Sequence, residues 1–122
     1  MINHESLFKS FRYALEGIYF AFKYNQNIRI HFLASILVIV LSLILKVNPF
    51  EMGILGIMIL LVICTEMINT AIEEVVNLLA NEHRKEAKIA KDVSAGMVLL
   101  TAMGSVIVGI LIFVPHILRF LR

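Results

Sequence analysis

Four polar side chains recur at helical spacing within an apolar stretch of the chain: Glu66, Asn69, Glu73 and Asn77. At about 100° per residue, the three later side chains fall within roughly 60° of Glu66 around a helix. The residues between them are mostly methionine, isoleucine, alanine and valine. The spacing therefore predicts one polar stripe on an otherwise apolar helix.

Two glutamates in such a stripe suit phosphoryl transfer. Placing a carboxylate inside a membrane costs free energy, so its side chain should face protein or water and serve a function. Glu73, near the end of the helix, suits Mg²⁺, which takes one or two protein carboxylates and completes its shell with phosphates and water. Glu66 lies deeper and suits a general base at the level of a lipid hydroxyl. Structural pairing between helices is the alternative for both carboxylates, and more so for Asn69.

A polar segment, 80–92, follows the stripe and offers candidate phosphate ligands: Glu82, His83, Arg84, Lys91 and Asp92. Lys91 can contact a phosphate, and Asp92 can orient that lysine or bind a metal through water. Both also fit a plainer interpretation, as a cation that extends toward the interface and a helix cap.

Composition excludes several classes of protein. The chain has 122 residues, 60% of them hydrophobic, and a net charge of +2, which is too small to indicate nucleic-acid binding. Its single cysteine excludes an internal disulfide or a thiolate metal cage. The four histidines lack metal-ligand spacing and are predicted to be interfacial or packing residues: His4, His31, His83 and His116.

Three apolar segments are long enough to cross a bilayer, at about 30–47, 50–79 and 93–114. Residues 5–24 carry apolar side chains on one helical face and are too polar to span, so they predict an amphipathic surface helix. We therefore expect one all-α membrane domain over 1–122. The excess of lysine and arginine before the first span and in 80–92 predicts that both are cytoplasmic, with the C-terminus outside.

The run Glu66-Met67-Ile68-Asn69-Thr70-Ala71-Ile72-Glu73, followed by Ala90-Lys91-Asp92, resembles the signature of the prokaryotic diacylglycerol kinases, which include undecaprenol kinases. The resemblance covers nearly the whole chain. It implies a homotrimer of the bacterial inner membrane, with active sites shared between subunits. It also implies transfer of phosphate from ATP, with Mg²⁺, to diacylglycerol or undecaprenol, and residues 27–31 are closer to the undecaprenol type.

The same resemblance implies a role for individual residues. Glu66 is the expected catalytic base, Asn69 supports the active site, and Glu73 is a metal ligand. The residues implied in nucleotide binding are Tyr13, Glu73, Glu82, His83, Arg84, Lys91 and Asp92.

Two positions depart from the family pattern. Asn25 stands where a glutamate usually provides a second metal ligand, and Asn77 stands where an aspartate is usual. Each difference removes a negative charge near the expected metal and nucleotide. A catalytically weak or inactive protein of the same fold, binding lipid or a partner, is therefore the alternative function. An ion conduit is a third hypothesis, but it requires polar residues across the bilayer, and 52–64 provides none.

Overall fold

The computed structural model describes residues 3–79 and 84–122 and contains four helices. They are α1 (His4–Tyr24), α2 (Gln26–Ile44), α3 (Pro49–Leu79) and α4 (Lys85–Phe120). Helices α2, α3 and α4 are long and apolar enough to cross a membrane. The predicted all-α membrane fold, with one amphipathic helix and three spans, is confirmed.

Helices α2 and α4 begin before the apolar spans predicted to start at about residues 30 and 93. Helix α4 begins at Lys85, so most of the predicted loop over 80–92 is helical from that residue onward, and α2 begins at Gln26 rather than near residue 30. The prediction followed the ends of the apolar runs. Helix α4 begins with lysine, glutamate and alanine, which are good helix formers, so it starts well before the apolar run. Helix α2 begins where the side chain of Asn25 caps it.

A tight turn joins α2 to α3. Lys46 has a positive φ of 55°, and the Val47 N–H donates to the Ser42 carbonyl oxygen at 3.2 Å, which together close the end of α2 in a Schellman arrangement. Asn48 then caps α3, since its Oδ1 accepts from the Glu51 N–H at 2.8 Å and its own N–H donates to Glu51 Oε1 at 3.3 Å. These contacts close a tight turn, so α2 and α3 form an antiparallel pair.

The far end of α4 is joined to the same turn. His116 Nε2 lies 3.1 Å from Glu51 Oε1 and 3.2 Å from Oε2. Beside this pair, Leu55 of α3 packs against Ile112 and Phe113 of α4 in a small buried cluster. Apolar packing and one polar pair thus close this end of the three-helix unit.

A sharp corner joins α1 to α2 at Asn25. Its backbone N–H donates to the Ala21 carbonyl oxygen at 2.9 Å, and its Oδ1 accepts from the Asn27 N–H at 2.8 Å, so one residue ends α1 and caps α2. The Arg29 guanidinium donates to the carbonyl oxygens of Phe22 and Lys23 at the end of α1. These bonds satisfy backbone groups that a helix end leaves free.

Helix α3 packs mainly against α4 and less extensively against α2. The α3–α4 interface contains buried polar groups from Thr65, Asn69 and Ser94, and Thr65 Oγ1 lies 3.0 Å from Oγ1 of the half-buried Thr101. Most large apolar side chains of the spans are exposed on the isolated chain. Small and polar contacts between helices with apolar surfaces outside are typical of helix packing in lipid.

Candidate active site

The Glu66 carboxylate is almost fully buried, with 2% of the residue exposed. Asn25 Nδ2 donates to its Oε2 at 3.3 Å, and His31 Nε2 lies 3.5 Å from its Oε1. Burying a carboxylate costs free energy unless its oxygens accept hydrogen bonds or are paired with a positive charge. Each oxygen of Glu66 therefore faces a donor group from the α1–α2 corner or from α2 itself.

Asn25 connects this corner to α3. Its Nδ2 also donates to Thr70 Oγ1 at 2.6 Å, and Thr70 Oγ1 in turn donates to the Glu66 carbonyl oxygen at 2.9 Å. Its Oδ1 accepts from the backbone N–H groups of Asn27 and Ile28. The amide is therefore oriented with its nitrogen toward Glu66 and its oxygen toward the start of α2.

Asn69 connects the stripe to α4. Its Oδ1 accepts from Ser94 Oγ at 2.7 Å, and its Nδ2 donates to Glu73 Oε1 at 3.3 Å. Both Asn69 and Ser94 are buried. Because one hydroxyl fixes the amide and the amide contacts the next carboxylate, α4 indirectly orients Glu73.

A cleft of about 330 Å³ opens between the α1–α2 corner and this part of α3. The side chains that line it include Asn25, Asn69, Thr70, Glu73 and Glu74. Glu66 lies directly behind this wall, in contact with Asn25. The cleft therefore presents two carboxylates at its surface and a third immediately beneath.

The oxygen donors of this cleft fit a small, hard cation. Within residues 3–79 and 84–122, no three His, Cys, Asp or Glu side chains gather into a metal cage. Mg²⁺ does not need one, because one or two carboxylates with phosphate and water oxygens complete its shell. Glu73 lines the cleft and is contacted by Asn69, and its role as a metal ligand stays a prediction. The Oδ1 of Asn25 is used in capping α2, and its role as a metal ligand stays a prediction.

The other candidate residues are distributed unevenly. Lys91 Nζ donates to Asn77 Oδ1 at 2.7 Å, and Lys88 Nζ pairs with Asp92 Oδ2 at 2.6 Å, both beyond the Glu73 end of the stripe. Tyr13 is exposed on α1, beside a separate shallow depression, so the single chain does not bring it to the cleft. Arg84 is exposed before α4. Glu82 and His83 lie outside the described residues.

Sequence reasoning did not assign three residues that the structure places at this site. His31 faces Glu66, Thr70 joins Asn25 to α3, and Ser94 holds Asn69. Thr70 falls within the signature itself, and Ser94 follows Lys91 by one helical turn, so spacing could have indicated both. His31 gives no such signal, because its position depends on how α2 packs against α3.

Comparison with known proteins identifies the family to which the chain is similar. The family profile described as prokaryotic diacylglycerol kinase matches residues 12–113. A diacylglycerol kinase of Synechocystis sp. is 39% identical over 117 residues, which cover 95% of this chain and 67% of the relative. An undecaprenol kinase of Bacillus subtilis is 36% identical over 110 residues, which cover 90% of this chain and 89% of the relative.

Proposed function

The chain belongs to the prokaryotic diacylglycerol kinase family and is a lipid kinase, and from this we propose that it transfers the γ-phosphate of ATP, bound with Mg²⁺, to the hydroxyl of a membrane lipid alcohol. The observation that carries the proposal is the buried Glu66 carboxylate directly behind a cleft lined by Glu73 and Glu74. It supports the proposal because a buried carboxylate could accept a proton next to carboxylates that could hold a cation, and phosphoryl transfer to an alcohol needs both.

Glu66 acts as the general base in this proposal. The lipid hydroxyl oxygen forms a bond to the γ-phosphorus, its proton passes to Glu66, and the bond from the γ-phosphorus to the β–γ bridging oxygen breaks, releasing ADP. Asn25 Nδ2 is 3.3 Å from Glu66 Oε2 but only 2.6 Å from Thr70 Oγ1. A hydroxyl that takes the place of the longer contact would donate to Oε2, which is the geometry that proton transfer requires.

Glu73 would hold the metal, with Asn69 fixing its carboxylate and Glu74 adding negative charge to the same cleft. Mg²⁺ held there would neutralise charge on the phosphates. Nucleotide contacts from Lys91, Asp92, Arg84 and Tyr13 are part of the proposal. Tyr13 would reach a nucleotide only if α1 of a second subunit contributes to the site, which agrees with the homotrimer that we propose.

The acceptor is proposed to be diacylglycerol or undecaprenol, the lipids named for the two relatives. Both present a hydroxyl at the membrane interface, and the cleft lies toward one end of the spans, where such a hydroxyl would sit. We further propose that this end is cytoplasmic in a bacterial inner membrane. Lysines and arginines are concentrated before α2 and at the start of α4, as the positive-inside rule requires.

The test is reconstitution of the purified protein in vesicles that contain one alcohol or the other, with ATP labelled in the γ-phosphate. We expect label in the extracted lipid with at least one alcohol, and loss of that label when Mg²⁺ is chelated. If neither lipid carries more label than lipid from protein-free vesicles, the proposal that ATP is the phosphate donor for these acceptors fails. If chelation has no effect, the metal proposal fails.

One specific observation favours a second candidate, a catalytically weak protein of the same fold. Asn25 contacts Glu66 with a neutral amide, so the cleft has one carboxylate fewer than a glutamate at this position would provide. Such a protein would bind the lipid alcohol or ATP in the same assay without measurable transfer. Binding measured alongside turnover separates the two candidates.

A further inference from the structure

His31 lies on α2 opposite the buried carboxylate of α3. Its side chain is 27% exposed, whereas the Glu66 side chain is 3% exposed, and Nε2 lies 3.5 Å from Glu66 Oε1. The rest of its surroundings are largely apolar, because it borders a cavity of about 100 Å³ lined by residues such as Leu55, Val62 and Phe113. The Glu66 carboxylate is the charged group of α3 that the imidazole faces across the helix interface.

The two oxygens of Glu66 have different neighbours. Oε2 faces Asn25, which lines the cleft, and Oε1 faces His31, which borders the apolar cavity on the other side. If a donor holds Oε1 on the side of the apolar cavity, Oε2 stays directed toward the cleft. Without a donor at Oε1, a buried oxygen would lack a partner, and the carboxylate would turn toward another one.

We propose that His31 is a positioning residue for the kinase reaction, which holds Glu66 Oε1 through Nε2–H so that Oε2 is presented to the acceptor hydroxyl. The inference rests on the role proposed above for Glu66. The distance of 3.5 Å is long for a hydrogen bond, and contacts at catalytic groups commonly shorten when substrate binds. His31 is not among the nucleotide contacts proposed above, so its effect is expected on turnover.

The test compares His31→Gln with His31→Met. The two side chains have nearly the same length and flexibility, and the Gln Nε2 can donate at about the position of the imidazole Nε2 while Met cannot. We expect His31→Met to lower kcat by about 10-fold or more, since misplacing a catalytic group by about 1 Å can cost on the order of 10²-fold. KM for ATP should change by less than about twofold, and His31→Gln should recover most of the lost kcat.

His116→Met is the matched control, because His116 also faces a glutamate but at the opposite end of the molecule. It should leave kcat close to that of the unmodified protein. The positioning role is overturned if His31→Met retains the unmodified kcat, if Met and Gln lower kcat equally, or if the loss appears only in KM. An unmodified protein that phosphorylates neither lipid would instead refute the proposed function, so the two failures are distinguishable.

Discussion

Glu66 and Glu73 lie on the same face of α3, yet their carboxylates have different surroundings. Glu66 is buried with a donor group facing each oxygen, whereas Glu73 lines the cleft and is contacted by Asn69. Burial suits a group that takes a proton from an alcohol, and access to the cleft suits a group that holds a cation beside phosphate. Two residues of the same type can thus serve two roles because their environments differ.

Asn25 is the residue whose exchange is most informative. Asn25→Glu should lower the Mg²⁺ concentration for half-maximal activity by about threefold or more, because a second carboxylate beside the cleft binds a hard cation better than a neutral amide. Asn25→Gln is the control, since it changes side-chain length without adding charge. The measurement is a Mg²⁺ titration of the kinase rate.

The same titration in a Glu73→Gln background shows whether the two positions act on one ion. If they do, the effect of Asn25→Glu should shrink there, because neighbouring sites that share a partner are not additive. An unmoved titration, or an equal shift in both backgrounds, would remove Asn25 from the metal site and leave it as a cap that contacts Glu66.

At the scale of helices, the features that could be predicted are those given by the order of apolar and polar residues along the sequence. Uninterrupted apolar runs identified the three spans, and the repeat at Glu66, Asn69 and Glu73 identified the polar face of α3. The helix starts were less predictable, because α2 and α4 begin at polar residues, Gln26 and Lys85, that precede the apolar runs. The length of an apolar run indicates how much of a helix could cross the membrane, and it does not indicate where the helix begins or ends.

The contacts of the site could not be predicted in the same way. His31 and Ser94 belong to α2 and α4, and they reach α3 only through the packing of separate helices. Nothing in their local sequence specifies which residue they will face. Asn25 was predicted from resemblance as a metal ligand, but its double role as the end of α1 and the cap of α2 depends on the sharp corner between those helices.

The turn between α2 and α3 offers a prediction about stability that is separate from catalysis. Asn48→Ala removes the Oδ1 that accepts from the Glu51 N–H, so it should lower the free energy of unfolding by about 1 kcal/mol, the usual effect of losing an N-cap. Denaturant unfolding in detergent micelles measures the change. The kinase rate per folded protein should stay the same, and a large fall in that rate would show that this distant turn affects the site.

For the whole molecule, orientation decides whether the cleft can meet ATP. In a Cys64→Ala background, a cysteine introduced as Glu86→Cys should react with an impermeant thiol reagent only from the cytoplasmic side. One introduced as Leu121→Cys should react only from outside, because the distribution of lysine and arginine predicts this orientation. The reverse labelling would place the cleft on the side without ATP and contradict the kinase proposal.

The apolar surfaces of the spans and the position of Tyr13 also belong to this scale. Large apolar side chains remain exposed along α2, α3 and α4 of the single chain, which suits contact with lipid or with further copies of the chain. Tyr13 lies on exposed α1, away from the cleft of its own chain. The proposed nucleotide contact of Tyr13 would therefore have to come from another copy of the chain.

The central claim is that Glu66 takes the proton of a lipid hydroxyl during transfer of the γ-phosphate, and Glu66→Gln tests it most directly. The decisive measurement is the initial rate of labelled phosphate appearing in lipid, with Glu51→Gln as the same exchange at the opposite end of α3. We predict a fall of at least about 10²-fold for Glu66→Gln, as expected for loss of a general base, with ATP affinity nearly unchanged and Glu51→Gln close to the unmodified protein. A Glu66→Gln protein that keeps more than about a tenth of the rate would contradict the claim.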